Sequence, residues 1–375
     1  MRDLARRVDA ATPPGRDRAL DALRAFAILG VVLGHWLVTA LVTDSGTVRA
    51  VSPLHAMPAL TPVSWLLQPL AVFFMVAGRT AASSREVPYR RWLGARISRL
   101  FGPVPALIAV WATASVAMLA AGTSFDTLHA LLKLVLSPLW FLLVLAVLTA
   151  ATPLVARLHP LWPFAVVLLV DLVRFGADGP AALGWINVAA GWLVPYCLGA
   201  ALARGGPRGR TTGWALLLGG AAATAALVLW AGYPAAMVGV PGARISNLNP
   251  PTLAAVTFGL AQCGAALLLL GPLRRVLRRP AAWLAVALLN LSAMTVFLWH
   301  QTAMMAVTAL GLLAGRPLPG LHTLPDGPGW ALARLAWLPV FAAALLVCRS
   351  AFHIHEVRRI HEVRRPAGTQ EVRHV

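Results

Sequence analysis

An apolar run that begins near residue 19 carries three side chains that hydrocarbon does not hold cheaply: Asp21, Arg24 and His35. Ten residues separate Arg24 from His35. On a helix, eleven steps of about 100° come to about 1100°, which is three turns and about 20°. Both side chains therefore face the same way, about 16 Å apart along the axis, half of a hydrocarbon core about 30 Å thick. This places Arg24 near the membrane surface and His35 near mid-membrane, on a face that reads as a polar line. Asp21, one turn before Arg24, can pair with it or orient it. Imidazole is the usual general base near neutral pH, and it can also carry an acyl group. Guanidinium suits phosphate or carboxylate. The plain alternative is a histidine bonded to a neighbouring helix and an arginine reaching the headgroups.

A second set of cations follows the next apolar run: Arg79, Arg85, Arg90, Arg91, Arg96 and Arg99. Arg96 and Arg99 are three apart, so a helical start puts them on one face, suited to a phosphorylated ligand. Arg85, Arg90 and Arg91 read as charge that sets topology. Asp171 and Arg174 are also three apart and read as a structural pair. Trp140, after Pro138, is placed at the outer end of a span, either lining an entrance or anchoring at the interface. Asn247, Asn249, Pro250 and Pro251 form an outer turn, while Gln262 and Asn290 suit bonds between helices. His300 falls far along a long run and is placed toward the outer side. Cys197, Cys263 and Cys348 have no ligand spacing and read as small core residues. No metal site is expected.

The elements that must position these groups follow from composition. Of 375 residues, 59% are hydrophobic and only 12% charged, and mean hydropathy is +0.73. A soluble domain is nearer a quarter charged, and disorder is excluded by the same figures. The apolar runs are about twenty residues long, which suits helices rather than a membrane barrel. The fold expected is all-α: a polytopic transmembrane helical bundle of about ten helices. The spans are roughly 19–42, 62–80, 100–121, 137–156, 160–175, 183–203, 212–232, 251–272, 281–313 and 330–349. The first is too long and too charged for a cleavable secretion signal and reads as a retained helix.

Alternating these spans with the N-terminus inside puts 25 of the 32 basic residues in inner segments and 5 in outer ones. Arg24 and Arg334 lie within helices. That bias is the positive-inside pattern, and it sets both termini in the cytoplasm. Nucleic-acid binding is the weaker reading of the charge. The chain divides into a cytoplasmic basic segment (1–18), a transmembrane domain (19–350) and a cytoplasmic basic tail (351–375). The tail repeats His355-Glu356-Val357-Arg358-Arg359 as His361-Glu362-Val363-Arg364-Arg365, and reads as solvated or lying on anionic lipid. No outer segment is long enough for a separate domain, so a second transfer step would need another protein.

These motifs, in order, resemble the acyltransferase 3 family of integral-membrane acyltransferases. Leu20 to Ile28 with His35 is similar to the family's first-helix signature, and its Arg-x10-His spacing is the most specific part. Phe73-Phe74-Met75-Val76-Ala77-Gly78 is similar to Phe-Phe-x-x-Ser-Gly. Arg96 and Arg99 with Leu100 and Pro103 are similar to Arg-x-x-Arg-Leu-x-x-Pro. Pro138 to Leu142, Trp192 to Gly199 and Ser292 to His300 resemble later signatures. Ala77 stands where many members have serine and Arg79 where they have phenylalanine, so no serine nucleophile is assigned.

The resemblance implies transfer of an acyl group from a cytoplasmic acyl-CoA, a co-substrate and not a bound cofactor. The acceptor implied is a hydroxyl of a carbohydrate, cell-envelope component or secondary metabolite. His35 and Arg24 are the catalytic candidates. Arg96 and Arg99 are the donor-binding candidates, with Asp21, Trp140 and His300 in support. The partners expected are donor, acceptor and membrane lipid, and the location is the inner (plasma) membrane, multi-pass, of a bacterium. The competing class is a transporter or flippase. Against it, nothing in the second half repeats Arg24 and His35.

Overall fold

The computed structural model describes residues 2–44, 47–83, 88–206, 209–240 and 245–364, with side chains as far as Phe352. About 76% of the chain is helical, and the described sheet is one two-stranded ribbon. In order, the elements are α1 (Arg2–Ala10), α2 (Arg18–Val38), β1 (Ala40–Asp44), β2 (Thr47–Val51), α3 (Leu70–Ala82), α4 (Tyr89–Phe101) and α5 (Val104–Ala120). There follow α6 (Phe125–Leu136), α7 (Leu139–Ala150), α8 (Leu161–Asp171), α9 (Ile186–Ala203) and α10 (Arg210–Trp230). The last are α11 (Leu253–Val276), α12 (Pro280–Leu291), α13 (Ala293–Gly311) and α14 (Pro328–Arg364). Arg85 and residues 365–375 lie outside the described residues, as do the side chains of the tail repeat.

Nine helical stretches among the described residues are long and apolar enough to cross a membrane. The protein is a multi-pass helical bundle. Buried share sorts the helices. The stretches Arg18–Val38, Ala181–Ala203, Leu253–Val276 and Ala293–Ala314 are 56 to 61% buried, whereas Tyr89–Ala120, Arg210–Trp230 and Pro328–Phe352 are 17% buried. The first group forms the centre and the second faces lipid. α2 packs against α3, α11, α12, α13 and α14.

Four details differ from the sequence reading. The 160–175 span is the short α8, closing in a π-helical turn, Leu172–Gly176. The first helix stops at Val38 and continues as β1, so 39–42 is not helical. The 281–313 run divides at Ser292, whose N–H bonds the carbonyls of Leu288 and Leu289 and closes α12 before α13 begins. Ser137 (φ −53°, ψ −37°) and Pro138 (φ −67°, ψ −17°) keep helical dihedrals. α6 and α7 therefore form one 26-residue crossing, and Trp140 sits near its middle rather than at its outer end.

Close packing comes from small residues where helices cross. A side chain at Gly78 would begin 2.0 Å from the Tyr196 carbonyl oxygen, and one at Gly199 would begin 1.9 Å from that of Met75. α3 and α9 thus meet backbone to backbone, which neither position allows with a Cβ. Away from this crossing, Asp171 is a buried knot. It accepts from Asn187 (3.0 Å), from the Tyr233 hydroxyl (3.0 Å) and from the Leu253 N–H at the start of α11 (2.6 Å), with Arg174 3.6 Å away. Burial, and then the Asp171 carboxylate, push the Tyr233 phenol up. Gln262 bonds the carbonyls of Trp65 (3.3 Å) and Gln68 (3.0 Å), and Asn290 bonds that of Asp21 (2.8 Å). Both are bonds between distant segments, as expected. The three cysteines are free.

Candidate active site

α2 starts because Asp17 caps it, its carboxylate accepting the Ala19 N–H at 3.2 Å. Phe26 and Leu29 are 54% and 38% exposed on one side of this helix, about 140–200° around from Arg24. Arg24 and His35 turn the other way, and both are only part exposed. The expected shared face is present. The continuous polar line is not, because Ile28 and Val32 between them are buried in the main apolar cluster and Val31 packs on it. Two polar centres exist instead, separated by an apolar stretch of about 16 Å.

The first centre lies at the end of the bundle where Asp17, Arg79 and Arg274 meet, here called the basic end. Arg24 Nη1 is 3.4 Å from Asp21, which also pairs with Arg16 at 2.6 Å. Arg96, on α4, donates to the Thr80 carbonyl (3.4 Å) and lies 4.6 Å over the Trp92 ring. Arg24, Arg96 and Arg99 lie within electrostatic range of one another. The structure thus brings together the arginines of two helices that the sequence could only pair by guess. Arg90 and Arg91 are exposed and outside this group.

The second centre lies around His35. The break at Ser292 places His300 only two turns into α13, beside His35 in the last turn of α2. The two imidazole rings are 5.1 Å apart. Gln301, adjacent in sequence to His300, lies 3.0 Å from His35 Nδ1. His300 Nδ1 is 2.6 Å from the Phe297 carbonyl. A carbonyl only accepts, so the proton is on Nδ1 and Nε2 carries a lone pair. That Nε2 is buried and unpaired among the described residues, as is Gln301 Oε1. His300 and Gln301 are fully buried, while His35 retains some exposure. An aromatic chain reaches this centre, Trp140 to Trp192 (6.0 Å), Phe74 (5.0 Å), Phe141 (5.1 Å), Phe297 (5.4 Å) and His300 (6.1 Å). Trp140 also meets Phe141 directly (6.2 Å), which leaves only Phe141 and Phe297 between it and His300.

Matching the chain to known families gives one result: residues 17–351 match an acyltransferase domain, that of the acyltransferase 3 family. The chain belongs to the acyltransferase 3 family. Membership makes it a membrane acyltransferase in general terms. Searches of curated proteins and of solved structures gave no match. The family-like stretches converge in space. Arg24 and His35 share α2, Gly78 and Gly199 make the α3–α9 crossing, and the Ser292–His300 stretch brings His300 to His35.

Gln301 and Arg334 were missed at the sequence level. Arg334, on α14, is 1% exposed. It donates to the carbonyls of Trp36 (2.7 Å), Gly320 (2.9 Å) and Thr39 (2.8 Å). It therefore satisfies carbonyls left open at the end of α2, next to His35. Trp36 in turn donates its indole N–H to the His300 carbonyl (2.9 Å). A charge inside an apolar run was the available signal. For Gln301 there was only a polar residue beside His300.

Proposed function

We propose that the protein transfers an acyl group from an acyl-CoA, bound at the basic end, to a hydroxyl of a carbohydrate, cell-envelope or secondary-metabolite acceptor. His35 is the general base. The observation that carries this reading is the His35–Gln301–His300 cluster, buried in the bundle about 16 Å from a group of arginines on the same side of α2.

The chemistry follows from that division. Arg24, Arg96 and Arg99 hold the donor's phosphates at the membrane surface through charge-assisted bonds. The arm that carries the thioester inward has to pass Ile28, Val31 and Val32, which are packed in the core and must part to admit it. At His35 the acceptor hydroxyl gives its proton to the imidazole as its oxygen attacks the thioester carbon. The C–O bond forms, the C–S bond breaks, and the departing thiolate recovers the proton from the imidazolium. The product is an ester and free CoA thiol. With its amide turned so that the otherwise unpaired Oε1 accepts from His35 Nδ1–H, Gln301 holds the ring and leaves Nε2 as the base, and Asp21 orients Arg24. The basic end faces the cytoplasm, where acyl-CoA is available, and the bundle sits in the inner membrane.

The test uses purified full-length protein in nanodiscs, following thiol release from acetyl-CoA with a panel of hydroxyl acceptors. His35→Gln and His35→Ala are expected to lower acceptor-dependent release at least about 100-fold. Near wild-type release in both variants would remove His35 from the reaction. Vectorial movement of substrate without thioester consumption would make the protein a transporter instead.

A further inference from the structure

The basic end carries a concavity whose lining includes none of Arg24, Arg96 and Arg99. Where the α11–α12 connection folds against the start of α2, a pocket of about 250 Å3 opens between Arg16, Arg18, Arg274 and Arg278, with Asp17 on its wall. These arginines come from opposite ends of the chain, so only folding assembles them. They are also held. Arg18 Nη1 donates to the Leu277 carbonyl (3.1 Å) and pairs with Asp9 (2.5 Å). Arg16 and Arg18 lie 5.6 and 5.1 Å over the ring of Trp283, which is 1% exposed. That indole is fixed from behind, its N–H bonded to Thr12 at 2.7 Å.

Among the described residues, Asp9 pairs with Arg18 alone, and the other two nearby carboxylates are shared. Asp17 serves Arg274 (2.9 Å) and Arg79 (3.7 Å), and Asp21 serves Arg16 and Arg24. No carboxylate among the described residues pairs with Arg278. The pocket therefore keeps excess positive charge, with Arg16 and Arg18 set against Trp283 and Arg278 exposed, and the planar guanidinium matches phosphate. Charge that only sets topology needs neither pinning nor a concavity. The concavity opens outward, so it can receive a phosphoryl group while the rest of its bearer stays outside.

We infer that this pocket is a second anion site, which binds a phosphate ester at the membrane surface, drawn from a lipid headgroup or from a soluble phosphate compound. It is read by binding alone, so its failure and the failure of the acyl-transfer reading are separate events.

The experiment has two arms on the full chain. In phosphatidylcholine nanodiscs, adenosine 3′,5′-bisphosphate is titrated by calorimetry. In parallel, phosphatidylglycerol retained by protein purified from mixed vesicles is counted by native mass spectrometry. Arg274→Gln/Arg278→Gln changes two exposed side chains. It is expected to weaken whichever ligand binds at least about tenfold, while Arg275→Gln, beside the pocket, changes neither. Asp17→Asn keeps a capping oxygen for α2 and removes the negative wall, so it is expected to tighten binding. Loss in the nucleotide arm identifies a soluble ligand, and loss in the lipid arm identifies a headgroup. If the double variant matches wild type in both arms, or if Arg275→Gln loses as much as it does, the site does not exist.

Discussion

At the scale of single residues, the chemistry rests on which nitrogen holds a proton and what holds the ring. His300 Nδ1 faces the Phe297 carbonyl, which fixes that tautomer. His35 depends on the Gln301 amide, 3.0 Å away. Gln301→Leu removes that bond without adding bulk. It is expected to lower acceptor-dependent thiol release roughly tenfold, the worth of one positioning bond. Melting temperature in nanodiscs should move by only a few degrees. Unchanged release would show that Gln301 does not position His35. His35 stood out in the sequence because an imidazole in hydrocarbon is costly. Its partners were not. Gln301 and His300 lie more than 260 residues downstream, and no local pattern links them to α2.

At the scale of elements, helix ends decide the geometry. α2 had to stop at Val38 so that its last turn, carrying His35, could be held from outside. Arg334 does this by donating to Trp36, Thr39 and Gly320 from within an apolar helix. Arg334→Met leaves three carbonyls without that donor. The expected cost is about 3 kcal/mol or more of stability, seen as a lower melting temperature in detergent. Arg334→Lys should recover only part of it, because an ammonium lacks the planar fork. Full recovery by lysine would mean that charge alone matters there. Spans were legible from apolar runs. The break at Ser292 and the continuity through Ser137–Pro138 were not, because each depends on a few backbone dihedrals that hydrophobic periodicity does not encode. Those two details moved His300 beside His35 and Trp140 into the middle of its crossing.

At the scale of the whole molecule, the burial shares place polar-lined helices at the centre and leave α5, α10 and α14 to lipid. The sign of the charge asymmetry predicts how this bundle sits in the membrane. Single cysteines at Arg278 and Arg316, each in a background with Cys197, Cys263 and Cys348 replaced, should report it. A membrane-impermeant maleimide applied to intact spheroplasts is expected to label the Arg316 position and not the Arg278 position. The reverse pattern would invert the bundle and place the arginine cluster on the wrong side for acyl-CoA.

The sequence alone determined that the chain is a membrane-spanning helical bundle. Transfer free energy acts on each apolar run separately, so composition and run length suffice. It also determined that Arg24 and His35 share a face, because helical rotation is a local property. Which groups meet His35, where the arginines of α2 and α4 converge, and that apolar side chains separate the two centres were decided only by tertiary structure. Those are contacts between segments far apart in the chain, set by how helices end and pack against each other, and no local energy fixes them.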